Sequence, residues 1–569
     1  MTQISPIKRF LSISIFLLVL FVLAVIVWYS PVLFKGYPAY SMGTDVMLAR
    51  NLYQTGLYSA ESDLNVFLSS NLIREQGHLS MCGNKLTSLL YSNVFKIVGL
   101  PDENNFVLLS VVIHALTLLI FTGTVLYLFN FKIAAIFSLI YVFLPFNWHQ
   151  PYYLGTYEFA LLFLSLFFLF YFYGVRQKHR QVYLVISGAF LALSCLSREA
   201  LFLIAPFLFI YLWLIKQKRY LVYIFIPFVV LLAFLWLPGL SHNAYIQLFT
   251  TEAPEETKSA DFSFYGHVYP DPYTYYFERE EYLKGLQNQV AENRLDLMKK
   301  IGMSKVLKNM GIQGINLVDR IKVGLMISSR HIFRFISLED IGGPFILLLI
   351  LLGLYSLKQK DKRLYQFFVY WILSSIFLMA FVVLVARNHL MDFNWALALL
   401  ISLGLLTLSK MIIDYFDLKG IKALTVYILI LLVVLYNFVL VNHVVWSRTY
   451  EQSSNLLVKA YSQEVKKLNI SDNDVIALSL HPTDFHNLNY LTNKSVVLFT
   501  PQTIKGLLEK DELGSIFEKF GVKYVLGYSD ELTKEITNQT EVINVASNSL
   551  EPSVPEISRN KGWFMNLVR

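Results

Sequence analysis

Carboxylates and cations stand in four stretches of this sequence, each beside apolar residues. The stretches are TDVMLARNLYQTG with Asp45, GTYEFALLFLSLFFLF with Glu158, CLSREALFLIAP with Arg198, and ARNHLMDFN with Arg387 and His389. An arginine binds phosphate through two parallel hydrogen bonds and keeps its charge, while a carboxylate can act as a general base. The four stretches therefore predict a site that binds the phosphate headgroup of a membrane lipid and deprotonates an incoming hydroxyl or amine.

Each of these residues also has a purely structural interpretation. An aspartate in the first turn of a helix is stabilised by local N–H groups and the helix dipole, which would account for Asp45. An ion pair of Arg198 with Glu158 or Glu199 would account for charges at a membrane edge. His149 is interpreted first as an interfacial hydrogen-bonding residue and only secondarily as an acceptor or metal contact, because the set is too sparse to assign a metal.

The composition is that of a polytopic membrane protein. Of 569 residues, 55% are hydrophobic and only 15% are charged. The net charge of +8 comes from short clusters between apolar runs rather than from a continuous basic stripe, which argues against a nucleic-acid partner. The two cysteines, Cys82 and Cys195, offer neither a disulfide framework nor a CxxC metal site.

Eleven apolar runs predict a mainly α-helical transmembrane bundle, because a helix needs roughly 20 apolar residues to cross the hydrocarbon core. The runs are Phe10 to Ser30, Phe106 to Phe129, Ile133 to Phe146, Tyr157 to Tyr173, Val182 to Leu196, Ala200 to Ile215, Tyr220 to Leu237, Pro344 to Leu357, Tyr365 to Val385, Phe393 to Met411 and Ala423 to Trp446. The first is interpreted as a retained spanning helix, since no small-residue cleavage site follows it.

Basic residues between the runs predict the orientation, because short loops rich in Lys and Arg stay on the cytoplasmic side. These residues are Lys8, Arg9, Lys132, Arg176, Lys178, Arg180, Lys216, Lys218, Arg219, Lys358 through Arg363, Lys410, Lys419 and Lys422. The N-terminus is therefore predicted inside and the C-terminus outside, with external loops at 31–105 and 241–342. All the candidate site residues fall on the external side.

Two domains are predicted, a transmembrane domain at 1–447 and a small external α/β domain at 448–569. In the tail, DVIALSL, VVLFT and KYVLGY are typical of strands, and PQTIKGLLEKDELGSIFEKFG of one helix that ends at Gly521. In the first external loop, KLTSLLYSNVFKIVG has apolar residues at helical spacing, which predicts a helix in the interface plane. Gly56 is predicted to end the helix that contains Asp45.

The four stretches resemble the GT-C superfamily of integral-membrane glycosyltransferases, in particular the branch of the protein O-mannosyltransferases and the lipid A aminoarabinose transferase. That branch has an acidic residue early in the first external loop, matched by Asp45. A second one stands where a Phe- and Leu-rich helix begins, and Glu158 matches it in place of the more frequent Asp. The family pattern L..L.R.E.LLL.P is similar to LALSCLSREALFLIAP and places Arg198. The stretch at Arg387 lacks the family's usual Tyr and Pro.

This resemblance implies a hexosyl- or pentosyltransferase that moves a sugar from a polyprenyl-phosphate donor to an external glycan or lipid, with inversion at the anomeric carbon. It implies that Asp45 is the base or the group that orients the acceptor nucleophile, and that Glu158 positions the acceptor or binds a metal. Arg198, assisted by Arg387 or His389, would hold the donor phosphate. The resemblance leaves open whether a divalent metal or no cofactor takes part.

A protein acceptor is less favoured, because Val46 stands where the protein mannosyltransferases have a second acidic residue. Other functions remain open, namely a transporter or flippase for lipid-linked sugars, a catalytically inactive scaffold, or a polysaccharide polymerase or ligase of related architecture. Transporters commonly show repeated halves and charges at mid-membrane, and neither is visible in this sequence. We expect an integral protein of a bacterial plasma membrane whose site faces outward.

Overall fold

The structure of the chain is a computed structural model. It describes residues 6–35, 41–42, 44–56, 85–155, 157–177, 180–198, 201, 204–236, 343–377, 392–451, 455–478, 488–499, 501–509 and 511–546. These residues divide into two compact units, of which the first contains those up to Trp446 and the second those from Ser447 onward. The predicted loop at 241–342 lies outside the described residues.

Helices make up nearly all of the first unit. They are α1 Pro6–Lys35, α2 Thr44–Thr55, α3 Lys85–Val98, α4 Glu103–Leu128, α5 Phe131–Phe143, α6 Pro145–His149, α7 Glu158–Arg176, α8 Arg180–Ser197, α9 Ile204–Leu214, α10 Lys218–Trp236, α11 Pro344–Lys360, α12 Lys362–Phe377, α13 Asn394–Tyr415 and α14 Ile421–Glu451. A 3₁₀ turn, Gln150–Tyr152, precedes the second of two short strands, β1 Ser41–Met42 and β2 Tyr153–Leu154.

Each of the predicted apolar runs overlaps one of these helices. Within the described part of the chain, five helices are long and apolar enough to cross a membrane, at Leu11–Val32, Asn104–Leu128, Glu158–Arg176, Asn394–Tyr415 and Ile421–Asn442. The mainly α-helical class is therefore confirmed. The number of eleven spans and the inside-outside orientation remain predictions.

Helix ends follow from the local sequence. Asp102 caps α4 by accepting a hydrogen bond from Asn105 N at 2.8 Å, and Asn130 caps α5 in the same way. Helix α2 ends at Gly56, as predicted, because this residue has a φ of +78° that only glycine adopts without strain.

Aromatic rings hold the middle of the first unit together. Phe168 on α7 lies with its ring centroid 4.5 Å from that of Trp395 on α13 and 4.8 Å from that of Trp371 on α12. Phe121 on α4 stacks on Trp395 at 5.1 Å and lies 6.4 Å from Phe168. These contacts fix α7, the helix that begins at Glu158, against three neighbouring helices.

Two glycines allow α11 and α13 to cross at backbone contact. A Cβ atom added at Gly353 would overlap the carbonyl oxygen of Leu400, and one added at Gly404 would overlap that of Leu349. Only glycine fits at such a reciprocal approach, which resembles the small-residue crossings of membrane helices. The crossing therefore fixes the position of α13 along α11.

Gly404→Ala is expected to lower the free energy of unfolding by about 1 to 3 kcal/mol, because its methyl group would push the α11 backbone away. Gly123→Ala on α4 is the matched control, since no atom lies within 4 Å of the added Cβ there. The melting temperature of the detergent-solubilised protein measures both. Equal melting temperatures for the two variants would contradict this account of the crossing.

The second unit contains a parallel sheet flanked by helices. Its strands are β3 Val475–Leu478, β4 Ser495–Leu498, β5 Val522–Leu526 and β6 Ile543–Ala546, and its helices are α15 Asn455–Lys467, α16 Pro501–Glu509, α17 Leu513–Phe520 and α18 Asp530–Gln539. Among the described residues the strand order is β4-β3-β5-β6, with every pair parallel. Side chains of β3, β4, α16, α17, β5 and α18 form one apolar core.

Two details of this unit differ from the prediction. The stretch from Pro501 to Gly521 forms two helices rather than one, because Asp511 adopts a left-handed backbone with a φ of +55° that ends the first helix. Strand β6 was not predicted. The second helix ends at Gly521, with a φ of +66°, as expected.

Candidate active site

A two-residue pairing brings the stretch of Asp45 to the stretch of Glu158. Strands β1 and β2 are parallel, with Ser41 opposite Tyr153 and Met42 opposite Leu154. Because the chains run in the same direction, both leave this pairing at the same end. Helix α2 begins immediately after β1 and α7 shortly after β2. Asp45 and Glu158 therefore both lie beyond the same end of the β1–β2 pairing.

The turn after β2 packs directly against α2. Gly155, with a φ of +76°, lies so close to α2 that an added Cβ would overlap Val46 Cγ2 and lie 3.8 Å from Asp45 Cβ. Asp45 is 5% exposed and Val46 is fully buried. Glycine is needed at this position both for the left-handed backbone and for the close approach.

The Glu158 carboxylate is buried and hydrogen-bonded on both oxygens. Its Oε1 accepts from Ser110 Oγ at 2.9 Å and from the Gly155 N–H at 3.0 Å, and its Oε2 accepts from the Tyr157 N–H at 3.1 Å. The side chain is 1% exposed, and a buried charge requires compensation of this kind. Glu158 therefore joins its own turn to α4, which carries Ser110.

Tyr91 on α3 was not predicted and lies beside both carboxylates. Its ring is fully buried, 4.8 Å from the ring centroid of Phe159. Burial, and then the charges of Glu158 and Asp45, raise the pKa of Tyr91 well above its ordinary value of 10. The phenol therefore stays neutral and keeps a proton between two acidic groups.

Arg198 lies directly after α8, at the end of that helix nearest to Tyr157. Its guanidinium carbon lies 4.8 Å from the ring centroid of Tyr157, a cation–π distance. Thr87 Oγ1 on α3 donates to the carbonyl of Ser197 at 2.8 Å, and Ser194 Oγ donates to that of Ala160 at 2.7 Å. The end of α8 is thus fixed to α3 and α7, which places Arg198 beside the residue that precedes Glu158.

The hydrogen bonds of α1 reach the same region. Trp28 Nε1 donates to the carbonyl of Val142 at 2.9 Å, and the hydroxyl of Tyr152 donates to the carbonyl of Trp28 at 2.5 Å. Tyr152 is the last residue of the 3₁₀ turn before β2. The first spanning helix is therefore joined to the segment that leads to Gly155.

Three of the predicted site residues, Asp45, Glu158 and Arg198, thus lie around one turn. Both oxygens of the Glu158 carboxylate accept hydrogen bonds from Ser110 and the turn, and the alternative ion pair of Arg198 with Glu158 or Glu199 stays a prediction. Residues Arg387 and His389 lie outside the described residues. His149 ends α6, but its side chain is not among those described.

Metal ligation has no support in the described part of the chain, where no three His, Cys, Asp or Glu side chains form a cluster. The residues that sequence reasoning missed at the site are Tyr91, Ser110 and Gly155. A serine within an apolar helix and a glycine just before an acidic residue were the available signals. Neither type is distinctive, because small polar residues are common in membrane helices.

Asp392, in the fourth stretch, is buried just before α13. Ser375 Oγ donates to its Oδ2 at 2.5 Å, and Trp371 Nε1 donates to its carbonyl at 3.4 Å. Its Oδ1 has no hydrogen-bond partner among the described residues, and the side chain is 2% exposed. Burial raises the pKa of Asp392 to about 7, against the smaller opposing effect of the Ser375 hydrogen bond.

No family model matches the sequence, and no curated protein matches it in sequence. Among solved structures, the chain is similar to the archaeal oligosaccharyltransferase AglB from Archaeoglobus fulgidus in complex with an inhibitory peptide and a dolichol-phosphate. The TM-score is 0.51 at 13% identity, covering 90% of this chain and 69% of that one. The oligosaccharyltransferase of the same organism in the apo form gives the same values.

These neighbours are GT-C glycosyltransferases. The chain has the GT-C fold. The resemblance predicted from the stretches around Asp45, Glu158 and Arg198 is therefore confirmed at the level of the fold. ArnT from Cupriavidus metallidurans bound to undecaprenyl phosphate also matches, with a TM-score of 0.49 at 11% identity over 93% of this chain and 89% of that one. Because five of its described helices are long and apolar enough to cross a membrane, this chain with the GT-C fold is an integral membrane protein.

The free energy of unfolding is expected to fall as the pH rises from about 4 to about 7, by up to about 1.4 kcal/mol per pH unit. The reason is that Asp392 keeps its proton in the folded chain over a range in which the unfolded chain has lost it. Asp392→Asn removes this pH-dependent contribution to the free energy of unfolding, while its amide oxygen can still accept the hydrogen bond from Ser375. The variant should melt at a higher temperature than the wild type at pH 8 but not at pH 4. A difference in melting temperature that is independent of pH would contradict the raised pKa of Asp392.

Proposed function

We propose that the chain is a membrane glycosyltransferase that moves a sugar from a polyprenyl-phosphate donor to a hydroxyl or amine acceptor. The observation that carries this proposal is the β1–β2 pairing, which brings Asp45 against the turn of Glu158 while Arg198 stacks on Tyr157 in the same turn. The GT-C fold supports it, and so does the dolichol-phosphate in the AglB complex.

In the proposed reaction, an acceptor lone pair attacks the anomeric carbon while the bond from that carbon to the phosphate oxygen breaks. The electron pair leaves with the phosphate, and the configuration at the anomeric carbon inverts. Asp45 takes the proton that the acceptor loses. Its place in the first turn of α2 assists this role, because the helix N-terminus orients the carboxylate.

Arg198 is proposed to bind the donor phosphate, which gains negative charge as it leaves. A guanidinium is suited to this task because it cannot lose its proton and bonds two phosphate oxygens at once. Stacking on Tyr157 positions its guanidinium, and the hydrogen bond from Thr87 to the carbonyl of Ser197 positions the neighbouring backbone. Arg387 and His389 are proposed as further phosphate contacts from the sequence alone.

The acceptor is proposed to be a glycan or a lipid, with a protein less favoured because Val46 replaces the second acidic residue of the protein mannosyltransferases. A hexose or pentose is the proposed sugar, and the external face of a bacterial plasma membrane the proposed location. His149 remains a candidate contact to the acceptor or a metal.

Asp45→Asn is expected to reduce sugar transfer by about 10²-fold or more, since an amide cannot accept the acceptor's proton. Transfer from a radiolabelled polyprenyl-phosphate sugar in proteoliposomes measures the effect. Asp102→Asn is the matched control, because this exposed aspartate caps α4 and asparagine caps equally well. Near wild-type transfer by Asp45→Asn would refute the role of Asp45 as base.

Arg198→Ala is expected to raise the KM for the donor by about 10- to 100-fold, the equivalent of one lost charge-assisted hydrogen bond. The KM for the acceptor should change much less. Arg176→Ala is the control, because this arginine lies at the opposite end of α7 and pairs with Asp361 at 3.4 Å. An equal loss for donor and acceptor would rule out the phosphate role.

A further inference from the structure

We propose that Glu158 and Gly155 act as positioning residues that fix the backbone of Asp45, rather than as groups that contact the substrate or a metal. The inference rests on the proposed function, because it takes Asp45 to be the base. It revises the role that the family resemblance implies for Glu158. The element that positions Asp45 is the turn from Gly155 to Glu158, the 155–158 turn.

The hydrogen bonds of Glu158 all point into the protein. Of its three donors within the described part of the chain, two are backbone N–H groups of its own turn, those of Gly155 and Tyr157, and the third is the hydroxyl of Ser110 on α4. The carboxylate therefore closes the turn and anchors it to a spanning helix. A group that bound an acceptor or a metal would instead have to present oxygens to solvent, and this side chain is 1% exposed.

The 155–158 turn contacts the Asp45 segment at two points. Backbone pairing joins β1 to β2 before the turn, and Gly155 packs on Val46 within it. Val46 follows Asp45 directly and is fully buried, and its branched side chain has little freedom to move aside. A shift of Gly155 is therefore transmitted to the backbone at Asp45.

Position matters at a general base, because a misplacement of about 1 Å can cost 10²-fold in rate. Loss of the positioning contact should lower kcat, since the base no longer meets the acceptor proton correctly. The KM for the donor should change less than kcat does, because α8, which carries Arg198, is also held by Thr87 on α3 and by Ala160 on α7, outside the 155–158 turn. A residue that bound the substrate would change KM instead.

The decisive experiment is a double-variant cycle on Gly155 and Val46. Gly155→Ala should lower kcat by about 10- to 100-fold, because its methyl group would overlap Val46 Cγ2. Adding Val46→Ala removes that atom, and the nearest remaining atoms lie 3.6 Å and 3.8 Å away, at Val46 N and Asp45 Cβ. The double variant should therefore regain part of the activity, since the left-handed backbone at residue 155 stays strained for alanine, with Val46→Ala alone as its reference.

Rescue by Val46→Ala supports the inference. A double variant as slow as Gly155→Ala overturns it, because the loss would then not pass through Val46. A Gly155→Ala variant with full activity also overturns it. Melting temperatures identify any variant that fails to fold, and the next pair of variants tests the inference without a steric insertion.

Ser110→Ala and Glu158→Gln remove only hydrogen bonds. Ser110→Ala should lower kcat by about tenfold with a smaller change in the donor KM, because the 155–158 turn loses its anchor to α4. Glu158→Gln should retain part of the activity, since Oε1 still accepts from Ser110 and Gly155. Complete loss in Glu158→Gln with full activity in Ser110→Ala would overturn the positioning role and assign a direct one to the charge.

Asp45→Asn, assayed beside these variants, separates the two proposals. If Asp45→Asn is inactive while the Gly155 and Val46 cycle shows no rescue, the positioning inference fails and the proposed function stands. If Asp45→Asn transfers sugar normally, the proposed function fails, and the positioning inference fails with it.

Discussion

A carboxylate at the head of an apolar helix must be compensated by hydrogen bonds if it is to be buried, and Glu158 meets this constraint with three donors. Because two of those donors are backbone groups of the preceding turn, burying the charge also determines the shape of that turn. The 155–158 turn requires a glycine at residue 155, and this glycine permits the contact with α2. The environment of Asp45 thus depends on how one neighbouring charge is satisfied.

The scaffold around this turn is rigid for a different reason. Spanning helices gain little from the hydrophobic effect when they associate within lipid, so close packing has to hold them together. Stacked rings around Phe168 and the glycine crossing of α11 and α13 provide that packing. Helix packing alone fixes the end of α7 where the site forms, whichever side of the membrane that end faces.

Much of the helical part of the fold could be predicted from sequence, because long apolar runs and capping residues such as Gly56 act locally. The grouping of Asp45, Glu158 and Arg198 also followed from sequence, through the resemblance and their shared position at helix ends. The β1–β2 pairing could not be predicted, since two-residue strands carry no periodicity. Tyr91 was missed for a similar reason: one tyrosine in an aromatic-rich chain is indistinguishable from a core residue until its neighbours are known.

The hydrogen bonds of Trp28 have a consequence for the membrane itself. The membrane span of α1, Leu11–Val32, has 22 residues and is about 33 Å long at 1.5 Å per residue, close to the roughly 30 Å of a hydrocarbon core. Its outward side chains are largely exposed, as at Leu18 and Ile26, so bilayer thickness acts on this helix directly. Trp28 accepts a hydrogen bond from Tyr152, and Tyr152 directly precedes β2. The depth of α1 in the bilayer therefore also determines how far Asp45 and Glu158 lie from the lipid headgroups.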